Sequence, residues 1–261
     1  MIKRVDFEIE SLKSMKRYPK ELFYLGNMEL LQKQKVSIVG SRKPNQYARE
    51  MTRILSQKLV HYGVCIVSGG AIGIDAIAHK AAGSKNTIMI AATGLDKRYP
   101  AINKSLIADI EDNGLVLSQF KKATPSTRYN FVLRNELVVA LGEILIVSYA
   151  DEKSGTMHSI KYAQKMGKKI YVLPHRMEDS KGTNSLLKEK KAEAIYDIDA
   201  FVKTLFGNKK EFQNTAKDEF LLFCQNTPTY DEVLAKYPSR LFEAELSGEI
   251  EVVNGRVRVL A

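Results

Sequence analysis

From Lys35 onward, short unbroken apolar runs alternate with longer segments whose apolar residues recur at helical spacing. Val36-Ser37-Ile38-Val39 is the first run, and residues 45–62 follow it with a helical pattern that stops at Gly63. The succession then repeats. Runs at 64–67, 87–91, 115–118, 144–147 and 169–173 are separated by helical patterns at 73–82, 103–112, 131–141 and 156–166. Val/Ile/Leu runs without polar alternation suit strands covered on both faces, and the intervening helices imply right-handed βαβ crossovers. The pattern predicts an α/β fold, with a Rossmann-like, doubly wound, mostly parallel sheet over residues 35–207.

The two ends read differently. Residues 1–34 predict a short helical N-terminal extension, with an extended aromatic stretch from Tyr18 to Tyr24 and a helical turn at 28–32. Past Gly207 the alternation stops, and 208–217 predicts a polar linker. Residues 218–261 then show helical patterns at 218–225, 230–237 and 240–246, followed by apolar residues alternating around Asn254-Gly255. Asn-Gly between such runs signals a two-residue hairpin, because a type I′ turn needs positive φ at both positions. Three helices and a hairpin predict a small winged-helix-like C-terminal domain.

Charge sharpens this division. The chain of 261 residues carries a formal net charge of +10. Residues 1–210 hold 35 lysines and arginines against 21 acids, and residues 211–261 hold 5 against 9, so a core of +14 is joined to a tail of −4. A basic core favours nucleic acid as partner, and an acidic tail predicts a protein-contact or accessory role for the last domain. No apolar run is long enough to span a membrane, the first residues lack the apolar stretch of a secretory signal, and two cysteines without CxxC spacing predict reduced, buried thiols. The expected setting is cytoplasmic. His61, His79, His158 and His175 show no ligand or catalytic spacing, so neither a metal nor a cofactor is expected.

In an open parallel sheet, ligands sit at the carboxyl ends of the strands. Ser41, Arg42 and Lys43 follow the first strand, offering a hydroxyl and two cations beside Gly40. Ser68, Gly69 and Gly70 follow the second, where glycines at a helix N-terminus either cradle a phosphate on backbone N–H groups or simply make a tight turn. Asp75, early in that helix, reads as complementary to its dipole. A third segment mixes Arg128, Tyr129, Asn130, Phe131, Arg134 and Asn135. Cations interleaved with aromatics suit single strands, whose phosphates pair with arginine while unstacked bases lie on rings. Phe131 reads equally well as a core residue of the helix's first turn. A dinucleotide enzyme is disfavoured, since no GxGxxG follows the first strand and no Asp or Glu ends the second.

These loops resemble those of the DNA-processing protein A family (DprA, also called Smf). The resemblance rests on Val39-Gly40-Ser41-Arg42, on Ser68-Gly69-Gly70-Ala71-Ile72-Gly73-Ile74-Asp75, and on Gly94-Leu95-Asp96 with Tyr99-Pro100 and Asn103. Arg134-Asn135, Ser154-Gly155-Thr156 and Gly182-Thr183-Asn184 extend it across roughly residues 18–206. It implies a protein that is not an enzyme, but binds and protects incoming single-stranded DNA during natural transformation and loads the RecA recombinase onto it, as a homodimer. It further implies DNA contacts at Arg42, Arg128, Phe131, Arg134 and Asn135, with Ser68, Gly69 and Gly70 as the phosphate cradle. Gln119 departs from the family's usual Glu, Gly155-Thr156-Met157 from a Gly-Ser-Leu turn, and the lead-in is shorter than the helical domain of many relatives. The alternative is a nucleotide phosphoribohydrolase of the lysine-decarboxylase-like Rossmann group. That reading requires a carboxylate near Ser159.

Overall fold

Successive strand side chains point to opposite faces of a sheet, so a strand covered on both faces is apolar throughout. The computed structural model, which describes residues 1–207, 219–224, 226–246 and 248–259, shows this arrangement. Its strands are β1 (Lys3–Arg4), β2 (Phe23–Gly26), β3 (Lys35–Gly40), β4 (Cys65–Ser68), β5 (Thr87–Ile90), β6 (Leu115–Ser118), β7 (Ile144–Tyr149), β8 (Ile170–Val172) and β9 (Glu193–Ala194). They form one sheet in the order β1-β2-β6-β5-β4-β3-β7-β8-β9, parallel from β6 to β9 and antiparallel at β1 and β2.

The alternation is visible residue by residue. Cys65, Val67, Ile88, Ile90, Leu145 and Val147 point into one core cluster. Ile66 and Ile146 point into another on the opposite face. Helices α1 (Gln46–His61) and α2 (Ile74–Ala82) cover the Ile66 face, and α3 (Lys104–Asn113) packs on Met89 and Val116. Helices α4 (Arg128–Leu141) and α5 (Thr156–Lys165) cover the other face, followed in the chain by α6 (Lys181–Lys188) and α7 (Ile198–Phe206). The fold is therefore an α/β, Rossmann-like sheet, as the apolar runs predict.

Side-chain caps fix the helix starts. Asn45 accepts from the Ala48 N–H at 2.8 Å, and Thr127 accepts from the Asn130 N–H at 3.1 Å. At the far end of α4, the Lys168 ammonium donates to the carbonyls of Ala140 (2.6 Å) and Gly142. Such a cation satisfies terminal carbonyls and suits the negative end of the helix dipole.

The expected lead-in over residues 1–34 differs from what forms. It carries two strands and two single 3-10 turns, and β2 pairs antiparallel with β6. Leu12, Leu22, Leu30 and Leu31 are buried in the same core cluster as α4. The segment is part of the sheet and its cover. Pairing of Phe23–Gly26 with Leu115–Ser118, far along the chain, leaves no local periodicity to read.

Contact density separates Met1–Glu211 from Phe212–Ala261. The second unit contains α8 (Glu219–Cys224), α9 (Tyr230–Lys236), α10 (Pro238–Leu246) and a hairpin of β10 (Ile250–Val253) and β11 (Arg256–Val259). Asn254 (φ 52°) and Gly255 (φ 72°) both take positive φ at the turn, as the Asn-Gly signal requires. The expected linker at 208–217 lies outside the described residues. Among those described, no helix is long and apolar enough to cross a membrane, and Cys65 and Cys224 are both buried.

One buried polar group makes the fold pH-sensitive. Thr87 Oγ donates to the Ile66 carbonyl at 2.9 Å, so at 2.6 Å it accepts from His79 Nδ1–H, and Nε2 has no hydrogen-bond partner among the described residues. Burial pushes the His79 imidazole down to about 3. The unfolded chain therefore takes up a proton below about pH 6.5 that the folded chain refuses. Stability should fall with pH through this window by about 1.4 kcal/mol per unit from this residue. Urea denaturation of wild type and His79→Gln from pH 7 to 4 should show the wild type losing stability faster; parallel curves would refute the burial argument.

Candidate nucleic-acid interface

Helices leave β3, β4 and β5 on one face of the sheet, and β6 and β7 on the other, so neighbouring β3 and β7 form a topological switch point. Their diverging loops open a crevice there. The structure holds a cleft of about 560 Å³ at this place, lined by the residues after β3, the start of α4 and the start of α5.

After β3 the backbone turns against α2, with the Ile74 N–H donating to the Ser41 carbonyl at 3.2 Å. A side chain at Gly40 would place its Cβ 2.6 Å from Ile74, so only glycine allows this approach. Ser41 Oγ accepts from the Lys43 N–H at 3.0 Å, and Arg42 and Lys43 extend into solvent along the cleft wall.

Opposite them, Thr127 starts α4 so that Arg128 is exposed and Phe131 half-buried. The Arg42 guanidinium lies 5.1 Å from the centre of the Phe131 ring. A cation over an aromatic face is attracted by the ring quadrupole. Tyr99 flanks Phe131 with ring centres 5.8 Å apart, and is 46% exposed. A small hollow of about 70 Å³ lies between Arg42, Gly69, Ala71, Ile72, Tyr99 and Phe131.

Arg134 lies deeper than its neighbours, at the floor of the cleft. It is 4% exposed, and its Nη1 donates to the carbonyls of Gly69 and, at 2.6 Å, of Ile90. Its Nε donates to Asn135 Oδ1 at 3.3 Å. Burial pulls the guanidinium down to about 10, so it remains charged at neutral pH, with the buried Asp75 carboxyl as counter-charge. Burial in turn raises Asp75, while Arg134 and the loop N–H groups act against that rise. Arg134 thus clamps α4 to the ends of β4 and β5 from below the cleft.

The glycine loop is shaped around that clamp. A Cβ at Gly69 would collide with the Arg134 guanidinium, and one at Gly70 would meet Met89 Sδ at 2.5 Å. Ser68 is buried and donates to the Ile38 carbonyl at 2.6 Å, and the Gly70 carbonyl accepts from Asn103 at 3.0 Å. Asn130 is buried too, donating to the Pro125 carbonyl at 2.9 Å. Ser68, Gly70, Asn130 and Arg134 therefore form the frame. Ser41, Arg42, Lys43, Arg128, Phe131 and Asn135 line the cleft, Gly69 lines the small hollow, and Arg134 forms part of the floor of both.

Two features of the site lie outside the candidates named from the sequence. Tyr99 joins Phe131 only through the loop after β5, and no spacing relates them. Ser154, Thr156 and Ser159 form a second wall of the cleft. Their position directly after the β7 apolar run is a legible signal.

With this geometry, residues 6–206 match the family model for DNA recombination-mediator protein A. The chain belongs to that family. Protein Smf of Synechocystis sp. is 38% identical over 163 residues, covering 60% of this chain and 41% of that protein. DNA processing protein DprA of Streptococcus pneumoniae is 36% identical over 176 residues, covering 66% of this chain and 62% of that one. The matched region thus spans less than two thirds of these relatives' length. Among solved structures, DNA processing protein A from Helicobacter pylori, described for its single-stranded DNA binding mode, superposes with a TM-score of 0.78. It is 38% identical, over 80% of this chain and 97% of that one. The Streptococcus pneumoniae DprA structure superposes at 0.72, with 30% identity over 79% of this chain and 74% of that one.

Arg134→Met should lower stability by about 3–5 kcal/mol, because two strand-end carbonyls lose their donor and Asp75 its counter-charge. Gly69→Ala should act in the same direction by driving a Cβ into the guanidinium. Urea unfolding reads both, and a loss below about 1 kcal/mol for Arg134→Met would contradict the clamp.

Proposed function

We propose that this protein binds single-stranded DNA in the switch-point cleft and acts as a recombination mediator rather than an enzyme. The observation that carries the proposal is the Arg42 guanidinium 5.1 Å from the Phe131 ring, at the mouth of a cleft edged by Lys43 and Arg128. A phosphate pairs with the cation while an unstacked base lies on the ring or on exposed Tyr99, and duplex bases, being already stacked, gain nothing there. Family membership and the Helicobacter pylori relative's binding mode support the same ligand. Ser159 stands where a phosphoribohydrolase would need a carboxylate, which favours binding over hydrolysis.

Protection of incoming DNA during natural transformation, RecA loading, homodimer formation and a cytoplasmic setting complete the proposal, and rest on the family alone. The acidic tail is assigned an accessory or protein-contact role. Arg256 and Arg258 on its hairpin are opposed there by Glu249 and Glu251.

Fluorescence anisotropy of a labelled oligothymidylate, titrated at several salt concentrations, tests the binding claim. Phe131→Ala should cost about 1–3 kcal/mol, the worth of one base stack. Arg42→Ala should weaken binding evenly across sequences and flatten the log–log salt slope by about 0.7 for each phosphate no longer neutralised. Unchanged affinity and slope in Arg42→Ala would remove the cleft as the binding site. A chain ending at residue 207 should keep its DNA affinity within about tenfold if the acidic tail is repelled by phosphates.

A further inference from the structure

The cleft's second wall is built from α5, whose ten residues begin at Thr156. Ser159 is 1% exposed and Thr156 8%, yet both line the cleft, and neither side chain makes a hydrogen bond among the described residues. Ser154 adds a third hydroxyl, whose oxygen is sealed from solvent and without a partner among the described residues. Many buried hydroxyls in the same sheet and helices are satisfied, with Ser37, Thr52, Ser56, Ser68 and Thr87 each donating to a backbone carbonyl, whereas Ser148 on β7 is, like Ser154, without a partner among the described residues. Leaving a sealed hydroxyl such as Ser154 unsatisfied costs about 1–3 kcal/mol, and with the Thr156 and Ser159 hydroxyls open to the cleft beside it, the cluster at this helix end points to a missing acceptor or donor.

The electrostatics select the partner. The wall is the positive end of the α5 dipole, and across the cleft stand Arg42, Lys43 and Arg128. Two carboxylates also line the space. Asp75 accepts from the Ala71 N–H at 3.4 Å and faces Arg134, and Asp151 is exposed at the rim. The cations outnumber them.

We infer that the α5 wall is a phosphate subsite, in which the Ser154, Thr156 and Ser159 hydroxyls and the helix N-terminus hold a phosphate group facing Arg42 and Lys43. Resting on the single-strand reading, the inference places the occupant as a phosphate of the bound strand, held while its neighbouring base lies on Phe131. Inorganic phosphate shares this chemistry and serves as the probe that does not depend on DNA.

The full chain is tested with Ser159→Ala and Ser159→Ala/Thr156→Val. Because no internal hydrogen bond is removed, melting temperature in chloride should stay the same or rise. Affinity for an oligothymidylate should fall about tenfold or more in the double variant. Phosphate at matched ionic strength should raise the wild-type melting temperature relative to chloride, and this protection should vanish in the double variant. A marked drop in melting temperature in chloride would mean the hydroxyls have internal partners, overturning the inference. So would wild-type DNA affinity and phosphate protection retained by the double variant, while leaving the single-strand reading intact. Hydroxyl-dependent phosphate protection in a chain that binds no oligothymidylate would sink the single-strand reading and keep the subsite for a free phosphate.

Discussion

A parallel sheet ends in a row of loops whose backbone groups have left the ladder, and something must hold them in register. Here one buried cation performs that task. The Arg134 guanidinium reaches from α4 beneath the cleft to the carbonyls that close β4 and β5, and its hydrogen bonds reach Gly69 and Ile90 at once. The glycines after β4 follow from it, since the space a Cβ at Gly69 would need is already filled by the guanidinium. Hydrogen bonds to a charged donor are worth roughly twice neutral ones, and burial removes water as a competitor.

Fixing α4 in this way also fixes what its first turn presents. Phe131 lies one turn ahead of Arg134 on the helix, so a clamp at Arg134 sets the ring's position relative to the β3 loop. Arg42 then meets that ring from the neighbouring strand end. Two arginines in one site have opposite roles: one is buried, paired and structural, while the other is exposed and available to a ligand. Their separation comes from depth in the fold, because the same side chain is expensive to bury unpaired and cheap to leave in water.

The remaining charge follows the same logic at larger scale. The excess of lysine and arginine belongs to the sheet-bearing unit, and the tail carries a small excess of acid. A field of one sign around a cleft concentrates counter-charged ligands, whereas the acidic unit is disfavoured near phosphates. The N-terminal segment contributes in another way, completing the sheet edge with β2 and covering the α4 side of the core with Leu12, Leu22, Leu30 and Leu31.

The order of the parallel strands and their helices was legible along the chain, because a strand buried on both faces must be apolar throughout and a covering helix must repeat near every third or fourth residue. Asn254-Gly255 likewise announced its turn, since few other pairs accept two positive φ angles. The strand-end loops could be named as candidates, with Ser41, Arg42, Lys43, Arg128, Phe131 and Asn135 among them. What the chain alone left open was which of the named residues face a ligand. Arg134, Asn130 and Ser68 have the same chemistry as the exposed residues of the cleft wall and differ in being buried, with their donors spent on carbonyls of β3, β5, the β4 loop and the loop before α4. Strand β2 and the Tyr99–Phe131 pair were hidden for a related reason, because both are made between segments far apart in sequence. Periodicity reports the environment of a residue along its own element; a partner on another element is chosen only when the sheet brings the two together.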